Sequence, residues 1–144
     1  MSDYVDSALW SNLSTQTSLT SLLATVPDSE TTTSPALFTD YGYPEKPTYP
    51  NLVYGQSNTR DQAMAGFTVQ DEIYTFFIHA EKRQDLFPIY TALKNLLNQK
   101  PIVPGTDSRR WYLMSGATPS LYDSNKKIWW GRCMFYIKII SPVV

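Results

Sequence analysis

The sequence predicts one α+β domain, in which a mainly antiparallel sheet of about four to five strands packs with two main helices. Three observations support this fold class. The chain has 144 residues, a length typical of a single domain. Apolar residues recur with helical spacing in two segments, one N-terminal and one central. The remaining apolar runs are short and adjacent along the chain, which favours antiparallel pairing.

The N-terminal helix is predicted from "SDYVDSALWSNLSTQTSLTSLLA". Val5, Leu9 and Leu13 share one helical face. The same spacing continues in a second group: Leu19, Leu22, Leu23 and Val26. The "STQTS" break predicts two short helices or one bent helix, because Ser and Thr compete for backbone hydrogen bonds. Residues 27–35, "PDSETTTSP", are predicted to form a loop, since they are turn formers without apolar periodicity.

Three strands are predicted next. A short one covers residues 36–42, and the prolines of "YPEKPTYP" impose an irregular connection to a second at residues 51–57. Residues 55–66, "GQSNTRDQAMAG", are polar and are predicted to be a flexible hairpin tip. The third strand, residues 67–81, is long enough to cross a whole sheet.

The central helix is predicted from "RQDLFPIYTALKNLLNQKP", where Leu86, Ile89, Leu93 and Leu97 form one apolar stripe. Asp85 is placed to cap it. Beyond the helix, residues 109–116 are predicted to be a strand and residues 117–126 a loop. The last strand follows from "KKIWWGRCMFYIKII", residues 126–140.

The last strand has two unlike faces. Alternation places Cys133, Phe135 and Ile137 on one face, as expected for core. The opposite face combines aromatic, thioether and cationic side chains: Trp130, Arg132, Met134, Tyr136 and Lys138. Two explanations stay open for this second face. It is an interface with another molecule, or a helix of the same chain, such as the first, covers it.

Composition excludes several classes of protein. The net charge is −1, so no global positive field attracts nucleic acid. A single cysteine excludes an internal disulfide or a multi-cysteine metal site. No apolar run approaches the ~18 residues of a membrane span, and the acidic N-terminus does not resemble a signal peptide. Neither a glycine-rich phosphate loop nor a metal-ligand spacing is present, so no cofactor or metal is predicted.

Catalysis has weak support in the residues. The chain has one histidine, His79, and one cysteine, Cys133, so a Cys/His pair is arithmetically possible. Cys133 is expected to be a buried, inert thiol. Asp71 and Glu72 are neighbours on a strand and point to opposite faces, so they cannot converge on one substrate. These acids are expected to be solvated surface residues, and no catalytic residue is predicted.

Basic residues and tryptophans gather in the C-terminal third. Such interleaving suits either single-stranded nucleic acid or a protein interface with Arg and Trp anchors. The near-zero net charge favours the interface. The residues are Arg109, Arg110, Lys126, Lys127, Arg132 and Lys138, with Trp111, Trp129 and Trp130.

The order of segments resembles the tail-completion, or tail-terminator, proteins of long-tailed (siphovirus-type) bacteriophages. The resemblance runs from about residue 4 to residue 140. It rests on a helix ending in "SLTSLLATV", a proline-containing loop and strand in "ALFTDYGYPEKPTYPNLVYG", and a strand running into a helix in "DEIYTFFIHAEKRQDLFPIYTALKNLLNQKPI". The closing "WYLMSG" and "DSNKKIWWGRCMFYIKII" complete it. The 27–35 insertion and the tyrosine- and tryptophan-rich strands depart from the pattern.

The resemblance implies a structural virion protein, not an enzyme. Such proteins form a ring, usually of six copies, at the head-proximal end of the tail tube. Implied partners are other copies of the chain, the tail-tube protein and a head connector or closure protein, with DNA passing through the lumen unread and no membrane. Assembly is expected in the host cytoplasm. Alternatives are another neck component, a nucleic-acid-binding module and, least supported, a Cys/His hydrolase.

Two sets of residues are then candidates for contacts. A ring subunit must bury surface against two neighbours, and the mixed face of the last strand suits this role. Trp130, Met134 and Tyr136 are predicted anchors, with Arg132 and Lys138 at the rim. The residues predicted to contact tube or connector proteins lie in the hairpin tip: Asn58, Arg60, Asp61 and Met64.

Overall fold

The computed structural model describes residues 2–27, 29–64, 66–103, 109–114 and 118–142. Its helices are α1 (Ser2–Thr15), α2 (Thr17–Thr20) and α3 (Leu86–Leu97), with 3-10 turns at Asp40–Gly42 and Arg83–Asp85. Its strands are β1 (Thr25–Pro27), β2 (Thr33–Pro35), β3 (Leu37–Thr39), β4 (Asn51–Met64), β5 (Phe67–Ala80), β6 (Trp111–Leu113), β7 (Thr118–Asp123) and β8 (Ile128–Pro142). The predicted α+β class is confirmed.

The main sheet is built around three long strands. Its order is β3-β4-β5-β8-β6, and β7 also pairs with β8. All pairs are antiparallel except β3 with β4. The strand β5 lies at the centre; it pairs with β8 along its whole length and with β4 from Phe67 to His79. The sheet has six strands where four to five were expected, because three-residue strands and one solvent-facing strand join its edges.

The described helices pack on one face of this sheet. Val5, Leu9 and Leu13 of α1 and the stripe Leu86, Ile89, Leu93 and Leu97 of α3 belong to one buried cluster. The sheet residues of that cluster alternate along the strands, as a half-buried pleat requires, and include Tyr54, Tyr74, Phe76, Cys133, Phe135 and Ile137. The predicted core face of the last strand and the predicted stripe of the central helix are confirmed.

A hydrogen bond fixes the first helix on the sheet. The Tyr74 hydroxyl donates to Asp6 Oδ1 at 2.7 Å. Burial, followed by this interaction with Asp6, raises the pKa of Tyr74. The break predicted at "STQTS" is present, since α1 ends at Thr15 and α2 begins at Thr17. The second helix is only one turn long, however, and Val26, predicted to be helical, lies in β1.

Three segments predicted to be loops contain strand residues, although residues 29–32 and 124–126 are irregular or turn as predicted. In residues 27–35, β1 and β2 pair as Thr25↔Pro35 to Pro27↔Thr33. The predicted flexible tip at residues 55–66 belongs mostly to β4, which continues to Met64 and pairs with β5 down to Met64↔Phe67. In residues 117–126, β7 pairs with the start of β8. These strands were not predicted because their residues are mostly polar and show no apolar alternation. Backbone pairing at a sheet edge does not require apolar side chains.

None of the helices in the described parts of the chain has both the length and the apolar character needed to span a membrane.

Candidate interaction surface

The face of the sheet opposite the described helices is the candidate functional site, and we call it the open face. The alternate residues of β8 predicted as an interface all lie on it: Trp130, Arg132, Met134, Tyr136 and Lys138. Arg132 and Lys138 are exposed, and the other three are half-buried. This gradient matches the predicted division into anchors and rim, although the contact itself stays a prediction.

Neighbouring strands complete the open face. On β5, Phe77 lies opposite Arg132, Thr75 opposite Met134, and Ile73 opposite Tyr136. Thr75 and Ile73 are buried. The Tyr136 ring lies 5.5 Å from that of Tyr112 on β6, which is exposed.

The described helices do not cover the open face. Both α1 and α3 contribute their apolar residues to the opposite side. What covers part of it is the segment after β3. Gly55 has no side chain, and a Cβ there would overlap the carboxylate of Asp40, so the glycine lets the Asp40–Gly42 turn lie directly on β4. The alternative that the first helix covers this face is therefore wrong.

An open pocket of about 280 Å³ lies at one end of the open face. Its walls combine apolar and charged side chains: Phe77, His79, Asp123, Lys126, Ile128 and Trp130. The Phe77 ring lies 6.2 Å from Trp130 and 6.5 Å from His79, where it stacks. Its size and aromatic walls suit one large side chain of a partner, as at interface hot spots.

His79 is held in place by a buried asparagine. Asn51 is fully buried, and its Nδ2 donates to Tyr43 Oη at 3.2 Å and to the Thr48 carbonyl at 2.9 Å. Its Oδ1 therefore accepts from His79 Nδ1–H at 2.9 Å, which assigns the neutral tautomer with the proton on Nδ1. Burial, and secondarily Lys126, lowers the pKa of His79.

The structure rules out the Cys/His pair. Cys133 lies on the helix-covered face, opposite Phe76, whereas His79 lies on the open face opposite Trp130. The thiol is buried, and this burial raises its pKa to about 12. Cys133 is therefore the inert thiol that was predicted.

The expectation that Asp71 and Glu72 are solvated is wrong, because both are buried in the middle strand. They do point to opposite faces, since Asp71 lies opposite Lys138 and Glu72 opposite Ile137. Lys138 Nζ is 3.7 Å from Asp71 Oδ1. Glu72 Oε2 has no hydrogen-bond partner, and burial without a partner is costly for a carboxylate.

The tryptophans do not form one surface. Trp111 is fully buried on the helix-covered face, and Trp129 packs against the same core beneath Arg83, 5.7 Å from its ring. Only Trp130 of these three lies on the open face. Arg110 Nη1 donates to the Gln99 carbonyl at 2.8 Å. Stacking platforms for single-stranded nucleic acid need several exposed aromatics along a basic groove, and these three tryptophans do not form one.

The second predicted set, Asn58, Arg60, Asp61 and Met64, lies on β4 rather than on a loop, and its side chains lie outside the described part of the structure. The described residues also contain no cluster of three or more His, Cys, Asp or Glu side chains suited to a metal ion. Sequence reasoning missed Asn51, Tyr43 and Phe77, since a lone amide and two aromatics have no spacing signal.

Comparison with known proteins gives a fold relationship. No protein-family model matches the sequence, and no curated protein sequence matches it. Among solved structures, the chain is similar to one from "Virion of native gene transfer agent (GTA) particle", with a TM-score of 0.69 and 11% identity. The match covers 94% of this chain and 93% of the other. The two chains therefore share a fold over nearly their whole lengths.

Proposed function

We propose that this chain is a structural virion protein that forms a ring at the head-proximal end of a phage-type tail tube. There it ends tube polymerisation and provides the head-to-tail joining surface. The observation that carries this proposal is the whole-chain likeness to a component of a gene transfer agent virion, at a TM-score of 0.69. The likeness fits the tail-terminator resemblance in the segment order.

The open face supports a role in assembly. It combines half-buried Trp130, Met134 and Tyr136 with exposed Arg132 and Lys138, the composition of an interface core and its rim. An exposed aromatic patch on one side of a sheet indicates a contact with another protein. We assign this contact to a neighbouring copy in the ring, which we take to have six copies.

Solution mass tests the ring and its interface together. We expect wild-type protein to have the mass of a ring by light scattering, and the double variant Trp130→Ala/Arg132→Glu to be a folded monomer. The matched control is Phe87→Ala/Lys94→Glu, which likewise replaces an aromatic side chain by alanine and reverses a positive charge, on the exposed side of α3. Unchanged mass in the first variant would remove the open face from the interface.

Particles lacking this protein test its place in the virion. We expect tails of uncontrolled length, or tails unattached to heads, by electron microscopy. Another neck component, such as a head-closure protein, is the second candidate, since it would also be a small α+β protein. Binding of the purified protein to tail-tube ends supports the terminator, and binding to portal-bearing heads supports the neck component.

A further inference from the structure

The sheet extends beyond its short outer strands as a three-stranded projection, which we call the distal arm. It consists of residues 58–64 of β4, 67–72 of β5 and 138–142 of β8. The strand β3 pairs only with Leu52–Tyr54, and β6 only with Phe135–Ile137. Among the described residues, both outer edges of the distal arm therefore lack a strand partner.

Backbone register shows which groups on the β4 edge point outward. The Leu52 N–H points away from β5 and donates to the Ala36 carbonyl at 3.0 Å. The backbone N–H and C=O groups that point towards β5 therefore belong to the odd-numbered residues near Leu52. A bulge between Gln56 and Asn58 shifts this order by one residue. Beyond the bulge, the N–H and C=O groups that point away from β5 belong to Thr59, Asp61 and Ala63.

The same reasoning applies to the β8 edge. The Met134 carbonyl points away from β5 and accepts a hydrogen bond from Met114 N–H at 2.9 Å. The backbone N–H and C=O groups of the even-numbered β8 residues therefore point away from β5. On the distal arm these are Lys138 and Ile140, followed by Pro142, which has no N–H. A proline at this position is typical of an edge strand.

Open edges of this length are uncommon in isolated proteins. Natural edge strands are usually short, covered or interrupted by proline, because unpaired backbone groups bind other strands. The β4 edge has no proline between Asn51 and Met64. The strands β4 and β8 are both antiparallel to β5, so they run in the same direction.

We propose that the β4 edge of the distal arm pairs in parallel with the Lys138–Pro142 end of β8 from a second copy of this chain. Rotation about an axis parallel to the strands places the β4 edge of one copy beside the β8 edge of the next and keeps both strand directions. The same contact then repeats between successive copies until a ring closes. Pairing of β4 with β4 would need a two-fold axis and would leave the β8 edge open. The inference rests on the proposed ring and adds a contact separate from the open face.

Proline substitution tests this pairing without disturbing the sheet within one copy. Asp61→Pro removes an outward N–H and leaves the hydrogen bonds to β5 in place, and Ile140→Pro does the same on β8. We expect each variant to be a folded monomer by circular dichroism and light scattering. Asp61→Ala and Ile140→Ala, which retain the N–H, should assemble as wild type. If Asp61→Pro does not fold, Ala63→Pro near the hairpin end replaces it.

Mixing the two proline variants gives a specific result. Each keeps one intact edge, so an equimolar mixture should form a dimer and nothing larger. Assembly of either proline variant alone to wild-type mass overturns the pairing but not the ring. If only Ile140→Pro assembles, the result indicates β4–β4 pairing and overturns the proposed partner strand. Wild-type protein that stays monomeric at all concentrations overturns the pairing together with the ring.

Discussion

Glu72 is the residue at which burial and charge conflict most clearly. It is 5% exposed, and its Oε2 has no hydrogen-bond partner. Because a buried carboxylate oxygen without a hydrogen bond opposes folding, we expect Glu72→Gln to raise the free energy of unfolding by about 1 kcal/mol. Urea denaturation at pH 7 measures this change. The control Glu81→Gln alters an exposed carboxylate and should have no effect. Destabilisation by Glu72→Gln would contradict this account, because it would show that the charged side chain stabilises the fold.

The lowered pKa of His79 makes the stability of the fold depend on pH. Burial lowers its pKa in the folded state, so the unfolded chain binds the proton more readily. Stability should then be complete above the unfolded pKa of about 6.5 and fall as the pH drops below it. The chain has one histidine, so denaturation between pH 7 and 5.5 reports mainly this group. His79→Asn should flatten the dependence, and an equally steep profile in that variant would contradict the assignment.

At the scale of elements, Gly55 fixes how the turn after β3 packs on β4. A Cβ at this position would overlap the Asp40 carboxylate. We expect Gly55→Ala to lower the free energy of unfolding by about 1–3 kcal/mol, as overpacking does. Asp40→Ala in the same chain should restore most of the loss. The control is Gly42→Ala, whose Cβ would meet only Thr39 Oγ1 at 3.5 Å. Equal losses in both glycine variants would refute this packing.

The elements also show how far sequence reasoning reached. Segments with a buried face were predictable, because burial imposes a period: α3 follows from Leu86, Ile89 and Leu93, and β8 from its alternating faces. The β8 residues of the open face were predictable for the same reason, because they alternate with the buried ones. The end of β4 was not, since its polar residues are held by backbone pairing with β5, which no side-chain pattern records.

Separation along the sequence was a second limit on predicting the site. Asn51 and His79 are 28 positions apart, and they meet only because Asn51↔His79 is a register pair of β4 and β5. The bulge at Ser57 shifts the register that a simple hairpin would give. Sequence could therefore name the β8 half of the open face, where neighbours are local, but not the strands that adjoin it.

The described part of the molecule is a sheet covered by helices on one face, with an open opposite face and two open edges on its distal arm. The proposed contacts at these surfaces predict that stability depends on the protein's own concentration. Association stabilises the folded state by mass action. For wild-type protein we expect the thermal midpoint to rise by about 2–4 °C per tenfold increase in concentration. Calorimetry over two decades of concentration measures the slope. Trp130→Ala/Arg132→Glu should abolish it, and Phe87→Ala/Lys94→Glu should retain it. A concentration-independent midpoint in wild-type protein would show that its copies do not stabilise one another.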